Sequence, residues 1–528
     1  MGSRIAFLLV VLGVFLWGWP IASDNDIYFH LAAGKAVVEK GGPLFHDIFT
    51  YTATGRPDES WHSWGSQAIF YLLYQKAGFS ALRGLNFLLL AITLLTAVHF
   101  TWKKTGSQTA ALIAGTWALL IHHHVQVLRP LLFGEALFAI TAFEIIPWGN
   151  AMSPRRLVAG GLIAVLWANL HGSVVILPFL FALHSITQWK TTWLTRLSPL
   201  FIFLATCLNP LGTALFPYAI DLTREGKIAG GWDWAGARPL EWKRTFAELP
   251  AIRWHLDVPS LTLVFGGLWF FFRKGYQKYP MILPFLALPV LSARHVVYLI
   301  FPAAILAARF CKKIPPILGW TICVTCLFIF RFNESYDVSP SIGKATNFLA
   351  ESHIEGNVLT DPAWANYLTF RLFPKVHIAY DTRTLVHRDF YRRSAVLFNE
   401  FGKEAWLILL DHPPQGTRLL ITRSLGESPD SSKWLPVYGN NHALISVRKT
   451  DDQILELVSN YYRERNIPFS KKEGFLFSQV VRKAPHWFSD QQEENEWGKW
   501  PEPAASEIWR QNQKRFYEQK VLLGQDLG

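Results

Sequence analysis

The sequence predicts an α-helical polytopic membrane protein of about eleven transmembrane helices, followed by a small α/β domain. Hydrophobic residues make up 51% of the chain and charged residues only 17%, whereas soluble domains carry roughly 25% charged residues. The 23 Trp residues fit this class, because Trp collects where lipid headgroups meet water. Long apolar runs alternate with short basic loops, and this alternation accounts for the net charge of +12 without a nucleic-acid partner.

The predicted membrane spans are the apolar runs of the first 330 residues. Several of these runs are short for a span, so tilted or paired segments stay open for them. The eleven runs are Ile5–Ala22, Leu85–Trp102, Thr109–Val127, Leu131–Trp148, Leu157–Leu170, Ser173–Ile186, Leu197–Ile220, Pro259–Phe272, Met281–Ser292, Val296–Ala308 and Pro316–Phe330.

Basic residues predict the orientation, since Lys and Arg concentrate in cytoplasmic loops. With Arg4 in the cytoplasm, threading eleven helices brings each later basic cluster to the cytoplasmic side; these are Lys103-Lys104, Arg155-Arg156, Lys190/Arg196, Arg273-Lys274 and Lys312-Lys313. We therefore expect a multi-pass protein of the cytoplasmic (inner) membrane, with a cytoplasmic N-terminus and an extracytoplasmic C-terminal domain. A signal-peptidase site near Ala22 is the alternative for the first run, but the many later spans favour a retained helix.

The predicted domains follow a change in polarity after Phe332. Residues 1–331 form the transmembrane domain, with a long first outer loop at 23–80. Residues 332–450 form the soluble α/β domain, and residues 451–528 form a charged helical tail. Strands are predicted at Gly356–Thr360, Val376–Asp381, Arg418–Thr422 and His442–Val447, and helices at Ser341–Ser352 and Arg388–Phe401.

Five residues of the predicted α/β domain stand at strand ends or in loops. We expect them to lie on the surface of that domain, with a place facing the membrane site as the alternative. They are Asp361, Trp364, Tyr367, Asp381 and Arg383.

Polar residues gather on the outer face in this topology. Ionisable side chains at membrane depth are costly and are therefore functional candidates. The candidates are Asp24, Asp26, His30, Arg129, Asn169, His171, Glu241, Arg294 and His295.

Asp24 and Asp26 directly follow the first run, and His30 comes one helical turn after Asp26. A carboxylate in this position can take a proton from an acceptor hydroxyl as a general base. The pair also fits a divalent cation, Mg²⁺ or Mn²⁺, as a second possibility. The structural alternative is that Asp24 caps the following helix while Asp26 is solvated.

The order of these segments resembles the plan of bacterial GT-C superfamily glycosyltransferases, such as the protein O-mannosyltransferase and lipid A aminoarabinose transferase groups. The resemblance covers roughly residues 1–390 and rests on an uncleaved first helix and short motifs. In the first outer loop these are Asp24-x-Asp26-x-x-x-His30, Asp47-x-Phe49-Thr50-Tyr51-Thr52 and the Trp-rich segment Trp61–Trp64. Later motifs are Arg129-Pro130, Trp167-x-Asn169-x-His171-Gly172 and Asn209-Pro210-x-Gly212.

The resemblance implies transfer of a sugar from a polyprenyl-phosphate carrier to a lipid, glycan or protein acceptor outside the cytoplasmic membrane. It also implies that a first-loop Asp, here Asp26 or Asp24, is the catalytic base. The chain has no P-loop, and a carrier-linked sugar needs none. Arg129 or Arg294 would bind the phosphate leaving group as its charge develops.

Each binding residue keeps a structural alternative. Arg129 and Arg294 could extend towards lipid headgroups instead of a substrate. Asn169 and His171 could satisfy helix backbone or interhelical hydrogen bonds. His30, Glu241 and His295 are predicted to line the substrate site on the strength of their position alone.

Two other functions compete with glycosyl transfer. A transporter or lipid flippase for a glycan or lipid would use the same outer cavity, but transporters favour inverted repeats and ionisable residues at the midplane, and neither is visible in the sequence. A non-catalytic membrane scaffold would leave the polar clustering on the outer face unexplained.

Overall fold

The computed structural model describes residues 7–9, 11–13, 25–57, 60–123, 128–229, 264–269, 272, 282–291, 297–329, 342–401, 405–423, 429–439, 443–467 and 469–474. The chain divides into two compact units. The helical unit comprises Met1–Phe45, Pro57–Val338 and Thr384–Arg392, and the α/β unit comprises His46–Arg56, Ser339–Arg383 and Arg393–Gly528. The chain thus passes from one unit to the other within the predicted first outer loop.

The helical unit contains eleven helices with defined bounds in its described part. They are α1 (Asp26–Lys40), α2 (Trp64–Thr105), α3 (Gln108–His123), α4 (Leu131–Ile140), α5 (Pro154–Leu170), α6 (Ile176–Thr187), α7 (Trp193–Thr206), α8 (Leu215–Ala229), α9 (Ile282–Leu291), α10 (Ile300–Phe310) and α11 (Pro316–Ile329). Short 3-10 turns lie at Ser60–Ser63, Gly172–Val175 and Gly212–Ala214, and a π turn at Thr141–Ile145 continues α4. The buried apolar core between these helices contains Phe138, Trp167, Phe181, Phe285 and Phe301.

Helix α2 carries the apolar run Leu85–Trp102 that the sequence predicts as a span. The stretch Trp61–Thr105 is the one segment, among the described residues, that is long and apolar enough to cross a membrane. Its axis breaks at Ala77 and Gly78, where Gly78 has φ +59°, a conformation that favours glycine. Five shorter apolar helical stretches are Gln108–Ile121, Gly172–Thr187, Trp193–Thr206, Val297–Phe310 and Pro316–Thr325. The count of eleven spans therefore stays a prediction.

One predicted span is interrupted. The run Leu197–Ile220 forms two helices, α7 and α8, with the turn at Asn209 between them. The Asn209 side chain accepts a hydrogen bond from the Leu211 backbone N–H (2.7 Å) and donates one to the Thr206 carbonyl (2.7 Å). This amide replaces the backbone hydrogen bonds that a continuous helix would make, so the Asn-Pro-x-Gly motif acts as a helix-breaking turn.

Apolar side chains point outward along two helices of this unit. Val158, Leu162 and Leu166 are exposed at four-residue intervals on α5, and this spacing places them on one face. Helix α7 exposes Leu197 and Leu204 in the same way. Exposed apolar faces of this kind are typical of contact with lipid or with another protein.

The α/β unit contains a five-stranded sheet with the strand order β2-β1-β3-β5-β4. The strands are β1 (Gly356–Thr360), β2 (Val376–Ile378), β3 (Leu419–Arg423), β4 (Trp434–Gly439) and β5 (Ala443–Arg448). β2, β1 and β3 are parallel, with Val358 opposite Ile378 and Leu359 opposite Leu420. β5 runs antiparallel to both β3 and β4. The helices are α12 (Gly343–Glu351), α13 (Pro362–Leu372), α14 (Arg388–Phe401), α15 (Ala405–Asp411) and α16 (Asp452–Glu464); the first residues of α14 group with the helical unit.

Strand β4 is absent from the predicted elements. Its sequence, Trp434-Leu-Pro-Val-Tyr-Gly, contains a proline that cannot donate a ladder hydrogen bond. The strand lies at the edge of the sheet, and the ladder is irregular between Pro436 and Tyr438, so the proline is tolerated there.

A segment of the predicted first outer loop adds to the opposite edge of this sheet. Thr50 forms a parallel bridge with Ile378 of β2. The Tyr51 N–H donates to the Ile378 carbonyl (3.1 Å), and the Ile378 N–H donates to the Phe49 carbonyl (3.3 Å). Residues 49–51 therefore continue the sheet beyond β2, although they precede it by more than three hundred residues.

Candidate functional site

An ion pair joins Asp26 to Arg129 in the helical unit. Asp26 is the first residue of α1, and Arg129 directly precedes Pro130 at the start of α4. Arg129 Nη2 lies 2.8 Å from Asp26 Oδ2, and the two side chains are only 19% and 24% exposed. Partial burial strengthens such a pair relative to one on the surface. The structure thus brings together two residues that the sequence predicts for the site.

His30 lies one turn after Asp26 on α1. Its Nδ1 is 3.3 Å from the Gln67 Nε2 amide nitrogen of α2, and the rings of Phe29 and Phe70 flank the imidazole at 5.8 and 6.3 Å. Burial lowers the pKa of His30 to about 3. The charge of Asp26 opposes this shift, while Arg129 adds to it. The imidazole is therefore neutral at physiological pH.

His62 contacts residues of α8 and of the end of α5. Its Nδ1 is hydrogen-bonded to the Tyr218 hydroxyl (2.9 Å), and its ring meets the His171 ring edge-on at 5.6 Å. The charge of His62 also lowers the pKa of His30. The 3-10 turn Ser60–Ser63 thereby carries an imidazole to the same region of the helical unit.

The Asn169 side chain forms hydrogen bonds with three other residues. Its Oδ1 accepts from Trp64 Nε1 (3.1 Å), and its Nδ2 donates to the carbonyls of Val165 (2.9 Å) and Leu208 (2.8 Å). These bonds match the interhelical alternative for this residue. Substrate contact by Asn169 stays a prediction.

His171 ends α5 and caps the turn that follows. Its Nδ1 accepts from the Ser173 backbone N–H (3.1 Å) and is hydrogen-bonded to the Ser173 hydroxyl (2.8 Å). Trp167 Nε1 donates to the same hydroxyl (3.0 Å). The Trp167-x-Asn169-x-His171-Gly172 motif is thus an anchor for α5, and its role towards a substrate stays a prediction.

Four predicted site residues lie outside the described residues: Asp24, Glu241, Arg294 and His295. Their proximity to Asp26 stays a prediction. Because Asp24 is one of these four residues, the expected carboxylate pair of Asp24 and Asp26 also stays a prediction.

No set of side chains in the described part of the chain is arranged to bind a divalent cation. No group of three or more His, Cys, Asp or Glu side chains is arranged there to hold a metal ion. Asp26, the described member of the predicted pair, binds the Arg129 guanidinium instead. A cation on the same carboxylate would repel that guanidinium, and binding of Mg²⁺ or Mn²⁺ by the Asp24–Asp26 pair stays a prediction.

Three residues of this region are absent from the predicted site. His62 lies just before the first turn of the apolar helix α2 and Gln67 lies within that turn, where a single polar side chain is ordinary, so the sequence gives little signal for either residue. Glu135 lies in the predicted span Leu131–Trp148 and is buried. The sequence signal that could have identified Glu135 is its own position, as an acidic residue inside an apolar run.

A second polar cluster is buried in the α/β unit. Arg383 Nη2 lies 2.5 Å from Asp47 Oδ1 and 2.6 Å from Asp381 Oδ2. The Asp47 carboxylate also accepts from the backbone N–H groups of Phe49 (3.2 Å) and Thr50 (3.1 Å). The cluster therefore holds the segment that pairs with β2 in its extended conformation.

The prediction of a surface position is wrong for the five strand-end residues of the α/β unit. All five are buried, namely Asp361, Trp364, Tyr367, Asp381 and Arg383. For the last two the reason is the ion cluster with Asp47, because burial of these charges is tolerated only when each is paired.

Comparisons with known proteins find similarity at the level of structure. No family model matches the chain, and no curated protein matches it. Among solved structures, the chain is similar to the Archaeoglobus fulgidus oligosaccharyltransferase, whose structure is a complex with Zn and sulfate. The two share 11% identity over 79% of this chain and 68% of that chain, with a TM-score of 0.48. No residue of this chain takes a role from that similarity.

Proposed function

We propose that the chain is an integral membrane glycosyltransferase. It moves a sugar from a polyprenyl-phosphate carrier to a lipid, glycan or protein acceptor on the extracytoplasmic face of the cytoplasmic membrane. The observation that carries this proposal is the half-buried ion pair between Asp26 and Arg129, with the neutral His30 imidazole one turn away. It offers a carboxylate for the acceptor proton and a guanidinium for the phosphate.

In this reaction the acceptor hydroxyl attacks the anomeric carbon of the donor. The new C–O bond forms as the bond between that carbon and the phosphate oxygen breaks, and its electron pair stays on the phosphate. Asp26 takes the hydroxyl proton as the oxygen attacks. Arg129 neutralises the charge that develops on the leaving phosphate, and a guanidinium suits this task because its planar donors match phosphate oxygens.

The resting ion pair implies an order of binding. In an inverting displacement the base and the leaving group act on opposite sides of the anomeric carbon, so Asp26 and Arg129 serve different partners. The donor phosphate would replace the Asp26 carboxylate on Arg129, exchanging one anion for another. The carboxylate, released from the guanidinium, then accepts a hydrogen bond from the acceptor hydroxyl. Donor binding thus precedes activation of the acceptor.

The outward apolar faces of the helical unit support a membrane setting. Val158, Leu162 and Leu166 form one such face on α5, and Trp61–Thr105 is long enough to span the hydrocarbon core. A membrane location also suits a polyprenyl carrier, whose tail stays in the lipid. The proposed topology keeps the N-terminus in the cytoplasm and the C-terminal α/β unit outside.

The remaining candidate residues take proposed roles at the same site. His30 and His171 would contact the donor sugar or the acceptor, and Asn169 would hold the end of α5 in place through its three hydrogen bonds. Asp24, Glu241, Arg294 and His295 stay proposed members of the site from sequence alone.

The experiment that tests this function compares surface glycans, glycolipids and lipid-linked sugars of a strain lacking the gene with those of its parent by mass spectrometry. We expect one sugar to disappear from an acceptor while its polyprenyl-phosphate precursor accumulates. Expression of the wild-type chain should restore the sugar, and the Arg129→Gln variant should not. As a matched control, Glu39→Gln changes an exposed acidic residue at the other end of α1 and should restore it fully. Unchanged glycans and carrier pools in the deletion strain would contradict the proposal.

A further inference from the structure

Gln67 is a buried amide that is only half satisfied. It lies in the first turn of α2 and is 0% exposed. Its Nε2 donates to His30 Nδ1 at 3.3 Å. Its Oε1 has no hydrogen-bond partner within the described part of the chain. One end of the side chain is therefore bonded to His30, and the other end has no hydrogen-bond partner among the described residues.

Close packing of α1 against α2 determines where the Gln67 amide lies. Gly34 lies one turn after His30 on α1, and a Cβ at Gly34 would collide with the backbone carbonyl of Gln67. The backbones of α1 and α2 therefore touch at this point, which only glycine permits. The contact fixes Gln67 against the same face of α1 that carries His30.

The Gln67 amide keeps one unpartnered end whichever way it is turned. His30 Nδ1 can bond to only one end of the Gln67 amide, so the opposite end lacks a partner in either orientation. A buried polar atom without a partner destabilises the fold, and an apolar residue of similar size would avoid this cost. A ligand that supplies the missing hydrogen bond removes the cost.

We propose that Gln67 and His30 form a subsite that binds a hydroxyl group of the donor sugar beside the Asp26–Arg129 ion pair. This inference rests on the proposed glycosyltransferase function. A hydroxyl is both donor and acceptor, so it can donate to Gln67 Oε1 and accept from His30 Nε2–H. The bare carrier offers only a charged phosphate and an apolar tail, so this subsite distinguishes a loaded carrier from a spent one.

The test measures binding to the purified, detergent-solubilised protein of two kinds of probe. One is undecaprenyl phosphate, and the other is a set of undecaprenyl-phosphate esters of glucose, mannose and N-acetylglucosamine. We expect at least one ester to bind the wild-type chain more tightly than the bare carrier. Gln67→Met, which keeps the volume and removes the amide, should weaken that ester about tenfold, the worth of one hydrogen bond. It should leave the affinity for the bare carrier unchanged.

Three further variants separate the possible failures. Gln75→Met removes an exposed amide from the same helix and should change neither affinity. Gln67→Glu keeps an acceptor oxygen for the sugar hydroxyl but cannot donate to His30 Nδ1, so it should retain part of the preference for the ester, even if Gln67→Met folds poorly. Arg129→Gln should weaken both probes, because both carry the phosphate.

The outcomes distinguish the subsite from the function on which it rests. If the wild-type chain binds neither probe, the proposed function fails and the subsite with it. If it binds both, and Gln67→Met weakens both equally or neither, the subsite is overturned while the carrier-binding function stands. A preference for the ester that survives Gln67→Met and disappears in Gln67→Glu would also overturn the subsite.

Discussion

Asp47 and Arg383 form a buried ion pair, with Arg383 Nη2 2.5 Å from Asp47 Oδ1 and each side chain no more than 4% exposed. Asp381 is the second carboxylate on the same guanidinium. The pair ties residues 46–56 to the sheet of the α/β unit, where Thr50 bridges Ile378. A segment that the sequence assigns to the first outer loop is thus a component of the C-terminal fold.

The first prediction concerns this ion pair. Asp47→Asn should destabilise the protein by about 2 kcal/mol, because an amide has one accepting oxygen where the carboxylate accepts charge-assisted hydrogen bonds from Arg383 and from the Phe49 and Thr50 backbone. The measurement is the unfolding temperature in detergent, together with the rate of proteolysis within residues 46–56. The control is Glu355→Gln, which removes an exposed pair with Lys375 (59% and 58% exposed) and should change stability by less than about 1 kcal/mol. Equal effects of the two substitutions would contradict the assignment.

The second prediction compares two glycines of α2. A Cβ at Gly65 would lie 2.6 Å from the Asn169 carbonyl oxygen, whereas a Cβ at Gly84 would meet nothing within 4 Å. Gly65→Ala should therefore force α2 and the end of α5 apart and lower the unfolding temperature. Gly84→Ala should be neutral or slightly stabilising, since alanine favours the helix. A neutral Gly65→Ala variant would mean that the two segments do not touch.

The third prediction follows from His30, whose pKa is lowered from 6.5 to about 3, chiefly by burial. Because the unfolded chain binds this proton more readily, the stability that the neutral imidazole contributes is complete above pH 6.5. It is lost progressively as the pH falls towards 3. The unfolding temperature of His30→Gln should therefore fall less than that of the wild type between pH 7 and pH 5. His46→Gln, at an exposed position, should keep the wild-type slope; identical slopes for all three proteins would show that His30 is not buried.

The fourth prediction concerns topology. Reporter fusions placed after Lys104, Arg156 and Lys313 should report the cytoplasm, whereas fusions after Gly55 and at the C-terminus should report the exterior. The reason is the segregation of the basic clusters to one side. A cytoplasmic C-terminus would overturn the odd number of helices, and with it the outer location of the site.

Local sequence signals predicted the elements that are determined locally. Helix α14 begins at Arg388 and ends at Phe401, as predicted, and β1 has its predicted bounds of Gly356–Thr360. The break at Asn209 was missed although the Asn-Pro pair is a turn signal, because the apolar run around it masked the turn. Strand β4 was missed because Pro436 argues against a strand unless the strand is known to lie at an edge.

Contacts between residues that are far apart in the sequence could not be predicted from it. The ion pair of Asp26 with Arg129 joins residues on different helices, and topology alone placed them only on the same face. The pairing of residues 49–51 with β2 depends on backbone hydrogen bonds, which carry no sequence signature. Gln67 was missed because a single amide at the start of an apolar helix is ordinary until its neighbours are known.

The most direct measurement of the central claim is the rate of sugar transfer by purified Asp26→Asn with a loaded polyprenyl-phosphate donor. Asn keeps the shape of Asp but cannot take the proton, so the turnover rate should fall by about two to four orders of magnitude. Donor binding should persist, since the proton moves only as the acceptor attacks. Asp24→Asn tests the neighbouring carboxylate in the same assay, and Glu39→Gln on α1 serves as the control with normal turnover. Transfer at the wild-type rate by both Asp26→Asn and Asp24→Asn would contradict the assignment of the first-loop carboxylate as the catalytic base.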